Sequence, residues 1–115
     1  MNTKPKTIID DKVILFRIRQ TFSENMRETD ILEVTRKAWV VGKRRNNADY
    51  ALAVVNGKVV AAFTIVQWYQ SKNSPNRWEF EGEEAPDSIC EKYVDKNVED
   101  YFMRGNSNPV LYVNC

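Results

Sequence analysis

Three tryptophans, five tyrosines and one short cationic run hold most of the chemistry available to this chain, which contains no histidine. Without histidine the commonest general base and the commonest transition-metal ligand are both missing, so most acid–base and metal-dependent enzyme classes fall away. Glu79, Glu81 and Glu83 would bind a hard cation only by converging, and same-face carboxylates on a strand form a solvated, aggregation-resistant surface more often than a metal site. Cys90 lies on an apolar stripe beside Glu91 and Lys92 with no base to activate it, and Cys115 stands in no metal-ligand spacing with it. Both read as free thiols. The glycines at 42, 57, 82 and 105 are scattered one per turn and build no phosphate loop. Binding chemistry is what remains: no catalytic residue, no metal and no cofactor is expected.

The aromatic and cationic residues are more informative. Trp39 and Trp78 each stand near an arginine, Trp68 is followed by Tyr69, and Lys43, Arg44 and Arg45 are consecutive. A recess lined by Trp39, Trp68 or Trp78 and edged by Arg36, Lys43 and Arg44 would combine a stacking platform with phosphate-attracting donors. Arg45, Tyr69, Arg77 and Asn108 complete the candidate ligand-binding set. Core packing competes for each tryptophan, and a solvated cap at a helix C-terminus competes for the three cations. Trp68 or Trp39 is the expected stacking residue, and Trp78, alternating with Phe80, is expected in the core.

The elements that position these residues follow from periodicity. Ile31, Val34, Thr35, Ala38 and Trp39 recur at helical spacing, with Asp30 and Glu33 as a capping pair and Gly42 as a stop, so a helix over Asp30 to Val41 is predicted. Val13 to Arg19 alternates as a half-buried strand. Asn56-Gly57 between Asp49 to Val55 and Val59 to Tyr69 predicts a type I′ hairpin, in which Val54 faces Val59, Leu52 faces Ala61 and Tyr50 faces Phe63. That register gives one large-residue face and a small-residue face of Ala51, Ala53, Val60 and Ala62, both apolar and therefore both covered. Gln70 to Asn76 reads as a loop, Arg77 to Glu83 as a strand with one wet face, and the segment after Pro86 as two short helices broken near Asp95. Asn108-Pro109 turns the chain into a last strand, Val110 to Val113, able to close a barrel. The expectation is an α+β fold: a single small curved, mainly antiparallel β-barrel with flanking helices over 13–115, preceded by a mobile N-terminal arm over 1–12.

At 115 residues, with 43% hydrophobic and 29% charged residues, the composition is that of an ordinary globular domain. No apolar run approaches the roughly 20 residues of a membrane helix, and MNTKPKTIIDD lacks the apolar core of a secretory signal, so the expected location is cytoplasmic, with no membrane partner. The net charge of +1 is divided between a basic window at Lys37 and Lys43–Arg45 and an acidic one at Glu79–Asp87. A local basic patch is compatible with that balance; indiscriminate nucleic-acid affinity is not.

The run LEVTRKAWVVGKRRNNADYALAVVNGKVVAAFTIVQWY, followed by NRWEFEGE, EKYVDKNVEDYF and NPVLYVNC, resembles a family of small bacterial and phage domains of the PUA-like superfamily, which includes the EVE, ASCH and YTH domains. The resemblance covers nearly all of 13–115. It implies a curved β-barrel whose concave aromatic pocket, in EVE and YTH relatives, receives a modified base, with Trp39, Trp68 and Trp78 as candidates for that role here. Some domains of this type are fused to restriction nucleases; a chain without one is expected to read or sequester its ligand. The expected function is therefore a non-enzymatic binding module for a nucleobase-containing ligand, a modified base in DNA or RNA or a small nucleotide. The competing expectation is a phage–host conflict domain that contacts a protein partner through its acidic strand, in phage defence or counter-defence.

Overall fold

The structure, a computed structural model, describes residues 7–18, 27–36, 39–72, 74–102 and 109–115. Five strands, β1 (Val13–Arg17), β2 (Tyr50–Val55), β3 (Lys58–Ser71), β4 (Ser74–Glu84) and β5 (Val110–Val113), form one sheet in the order β4-β3-β2-β1-β5. Two helices, α1 (Glu28–Thr35) and α2 (Asp87–Tyr93), and two 3-10 turns, Lys43–Asn47 and Glu99–Tyr101, complete the described elements. Only β1 and β2 run parallel; the other three pairs are antiparallel. A parallel pair needs a long crossover, and here α1 and the basic turn supply it. The fold is thus α+β with a mixed, mainly antiparallel sheet. Backbone pairing leaves that sheet open, with β4 and β5 as its outer strands. No described helix is long and apolar enough to cross a membrane.

The hairpin turn is the predicted one. Asn56 (φ 52°) and Gly57 (φ 78°) both occupy the left-handed region that a type I′ turn requires, and Val54 faces Val59 as expected. A bulge between Ala53 and Val54 then shifts the register by one residue, so that Leu52 faces Ala62, Ala51 faces Phe63 and Tyr50 faces Thr64. The expected Leu52–Ala61 and Tyr50–Phe63 pairs are corrected accordingly. Because side chains alternate with period two, the slip moves the Phe63 ring onto the small-residue face and fills it.

Both faces are covered. On one, Val13, Leu15, Leu52, Val54, Val59 and Ala62 pack against Ile89 and Tyr93 of α2, Val98, Phe102 and Ile9. On the other, Ile14, Phe16, Ala51 and Phe80 pack beneath Val41 and Ala48, and Ala53, Ala61 and Phe63 pack beneath Ile31 of α1. Ile9 belongs to the stretch assigned by composition to the arm. There Asn114 Nδ2 donates to the Ile9 carbonyl (2.8 Å), and Tyr101 accepts from the Ile9 amide (3.0 Å) while donating to the Thr7 carbonyl (2.7 Å).

Two further expectations are corrected. Helix α1 stops at Thr35 instead of running to Val41. Asp30 is its third residue, its carboxylate accepting from the Arg27 amide at 3.2 Å, and Gly42 has an ordinary φ of −95°. Periodicity, the Asp30–Glu33 pair and Gly42 predicted the longer helix, but the Trp39 backbone is taken by β4, giving and receiving bonds with Trp78 at 2.9 and 2.8 Å. The predicted loop over Gln70 to Asn76 is mostly strand, because β3 runs to Ser71 and β4 begins at Ser74. After α2, Asp95 (φ 71°) breaks the helix as expected, and residues 95–98 return along Gly57–Val59.

Candidate functional site

Trp39, Trp68 and Trp78 converge on one sheet face around Phe16. The Phe16 ring centroid lies 4.8 Å from that of Trp39, 6.4 Å from Trp68 and 5.8 Å from Phe80, and Trp68 meets Phe80 edge-on at 5.2 Å. Cross-strand pairing aligns them, since Trp68 lies opposite Phe80 and Gln70 opposite Trp78. The three indoles are half-buried walls of a cluster whose middle is occupied by Phe16. Trp39 Nε1 donates to the Thr35 carbonyl (2.5 Å), whereas Trp68 Nε1 is buried without a partner.

The cations divide into two groups. Arg36, at the end of α1, is held in ion pairs with Glu33 (2.6 Å) and Glu79 (3.0 Å) and donates to the Tyr69 hydroxyl (2.8 Å). The Glu33 hydrogen bond comes first among the influences that push the Arg36 guanidinium up. Burial pushes Glu79 up, but the hydroxyls of Ser71 and Tyr69, and the bond and charge of Arg36, outweigh it, leaving the carboxyl below its usual range. Two carboxylates therefore already neutralise Arg36.

Lys43, Arg44 and Arg45 open the 3-10 turn and form no ion pair with a side-chain carboxylate among the described residues. Arg45 lies over the Trp78 ring, 3.6 Å from its centroid; its Nη1 donates to the Gly42 carbonyl (2.9 Å) and its Nε is buried without a partner. Arg44 lies 4.7 Å from the Tyr112 ring and donates to the Cys115 backbone oxygen (2.7 Å). Tyr112 accepts from the Gly42 amide (2.8 Å). Segment 39–45 thus touches β4 through Trp78 and β5 through Tyr112. Lys43 is exposed, as is Arg77 on β4 beside Trp78; Asn108 lies outside the described residues.

The structure therefore joins Arg45 to Trp78, whose backbone pairs with Trp39, and separately joins Arg36 to Tyr69. Sequence reasoning missed Phe16 as the centre of the cluster and Tyr112 as the ring under Arg44. Phe16 was legible only as a core residue of an alternating strand, and nothing local announces what Tyr112 meets. Among the described residues no three His, Cys, Asp or Glu side chains gather as a metal site. Both cysteines are free, and burial pushes the Cys115 thiol up. A cavity of about 760 Å³ lies at the hairpin end of the sheet, lined by Arg17, Val55, Asn56, Glu99 and Phe102 among others, and shares no residue with the expected site.

No family model matches the chain, and neither the curated proteins nor the solved structures contain a match to it.

Proposed function

We propose that this chain is a non-enzymatic binding module for a nucleobase-containing ligand, a nucleotide or single-stranded nucleic acid, with the Lys43–Arg45 turn as its phosphate contact. The supporting observation is the state of the cations: Arg44 and Arg45 rest on aromatic rings beside exposed Lys43, and none of the three has a side-chain carboxylate partner among the described residues. A guanidinium held over a ring is fixed in orientation, while those of its N–H groups that are neither buried nor already bonded remain available to phosphate. A base stacks on the outer plane of Arg45 and extends the Trp78–Arg45 stack, since guanidinium planes serve as stacking platforms much as rings do. On this reading Trp78 supports the stack, and Trp39 and Trp68 are the walls behind it.

The finer fold reading, a PUA-like barrel with a modified base in its pocket, rests on the sequence runs; what supports it is segment 39–45 touching both outer strands. The acidic-strand reading has less behind it, because Glu79 is bound by Arg36 and Glu81 accepts from Gln67 (2.9 Å). The test is a fluorescence titration with nucleotides and single-stranded oligonucleotides at several salt concentrations. Three phosphate contacts give a log–log salt slope of about −2 on a single strand. Replacing Lys43 and Arg44 by Gln removes most of that slope. A protein that binds nothing on the panel overturns the proposal.

A further inference from the structure

We infer that the far half of β3, Val66–Gln70, is an interaction edge that pairs with the same segment of a second copy of this chain. Strand β2 reaches only as far as Tyr50 opposite Thr64, with the Asp49 carbonyl accepting from the Ile65 amide at 3.0 Å. Beyond that point β3 pairs with β4 alone, so alternate residues of Val66–Gln70 direct their N–H and C=O groups toward the side that β2 has vacated. The side chains there are open to solvent: Val66 is 50% exposed, Tyr69 41%, and Gln67 and Gln70 are exposed.

An unpaired edge is a template for strand addition, and proteins blunt such edges with charge, proline or a covering segment. The outer edge of β4 has all three: Pro75, the charges of Arg77, Glu79, Glu81 and Glu83, and the backbones of Arg36 and Trp39, which bond to Phe80 and Trp78. Among the described residues, the vacated edge of β3 has none of them. Thr64–Ser71, TIVQWYQS, contains no charge, proline or glycine and is rich in β-branched and aromatic residues. A two-stranded ribbon is marginal alone in water, so a continuous β4-β3-β3-β4 sheet stabilises the part of the hairpin that extends past β2.

A second copy fits this edge because the segment tolerates its own reverse. In an antiparallel two-fold pair centred on Trp68, Val66 faces Gln70 of the second copy and Gln67 faces its Tyr69, so no like charges oppose each other. The β4 carboxylates of the two copies lie three strand spacings apart, about 14 Å, beyond the screening length of about 8 Å.

Sedimentation velocity and light scattering at high micromolar concentration test this. The wild-type chain should run at twice its 13.4 kDa mass. V66K/Q70K places lysines directly opposite each other and should be monomeric with an unchanged near-ultraviolet spectrum; mixing it with V66E/Q70E should restore a 1:1 dimer. A monomeric wild type overturns the inference and frees the edge for a foreign extended segment. A dimer that survives V66K/Q70K, or charge-swapped variants that fail to associate, also overturns it.

Discussion

The guanidinium carbon of Arg45 lies 3.6 Å from the centroid of the Trp78 ring, so a residue read as a phosphate ligand and a residue read as core form one stacked unit. The Arg45 Nε is buried without a partner, so the ring face and the Gly42 carbonyl together hold the side chain in place. Removing either member should disturb the other.

Arg45→Ala should therefore cost about 0.5–2 kcal/mol of stability and expose one face of Trp78 to water. Tryptophan emission should shift to longer wavelength, and chemical denaturation should show the matching loss. If emission is unchanged, the stack does not persist in solution.

Arg36 makes the opposite case. Its charge is already met by Glu33 and Glu79, so it has little left to offer a phosphate. Arg36→Met should leave oligonucleotide affinity and its salt slope near the wild-type values. The stability cost should stay near 1 kcal/mol or below, as for a partly exposed pair. A fall in affinity as large as that of Arg44→Gln would place the phosphate contact at the end of α1 instead of on the basic turn.

Legibility tracked how local each determinant is. Asn56-Gly57 could be read because a type I′ turn makes a dihedral demand on two residues, and both sit at positive φ. The bulge one step away left no mark, since Val54, Val59 and Val60 are equally suited to either register. That single slip placed Phe63 opposite Ala51, on the face the sequence had given to small residues. Helix α1 could be recognised from its period, but its end could not, because the Trp39 backbone is claimed by a strand distant in sequence. For the site, the run Lys43–Arg45 was plain in the sequence. The rings beneath it and the carboxylates that cancel Arg36 come from β4, β5 and the body of α1, and their meeting is a property of the fold.

Gly57 has two reasons to be glycine. Its φ is +78°, and a Cβ there would come within 3.0 Å of the Glu99 Cβ. Gly57→Ala should lower stability by about 1–2 kcal/mol from the left-handed conformation alone, or several degrees in melting temperature for a domain of this size. Asn56→Gly keeps the turn and should be close to neutral. Equal melting temperatures for wild type and Gly57→Ala would remove the turn as a determinant of the hairpin.

Tyr93 gives an alkaline signature. It is fully buried and donates to Asp11 at 2.5 Å while accepting from the Asp10 amide at 3.3 Å. Burial, with the Asp11 hydrogen bond, pushes its hydroxyl from 10.0 up to about 12. In the unfolded chain the phenol ionises near its ordinary value, whereas in the fold it stays protonated until the higher one. Its contribution is therefore complete below the unfolded pKa and is lost as pH rises from about 10 to about 12. Lys92, raised by its bonds to Asp10 and Asp11, acts in the same direction and persists when the tyrosine is changed. Tyr93→Phe should be less stable than wild type near neutrality by about 1 kcal/mol, and its urea midpoint should fall less steeply above pH 10. Parallel decline of the two proteins across that range would mean that the phenol is not what makes the fold sensitive to alkali.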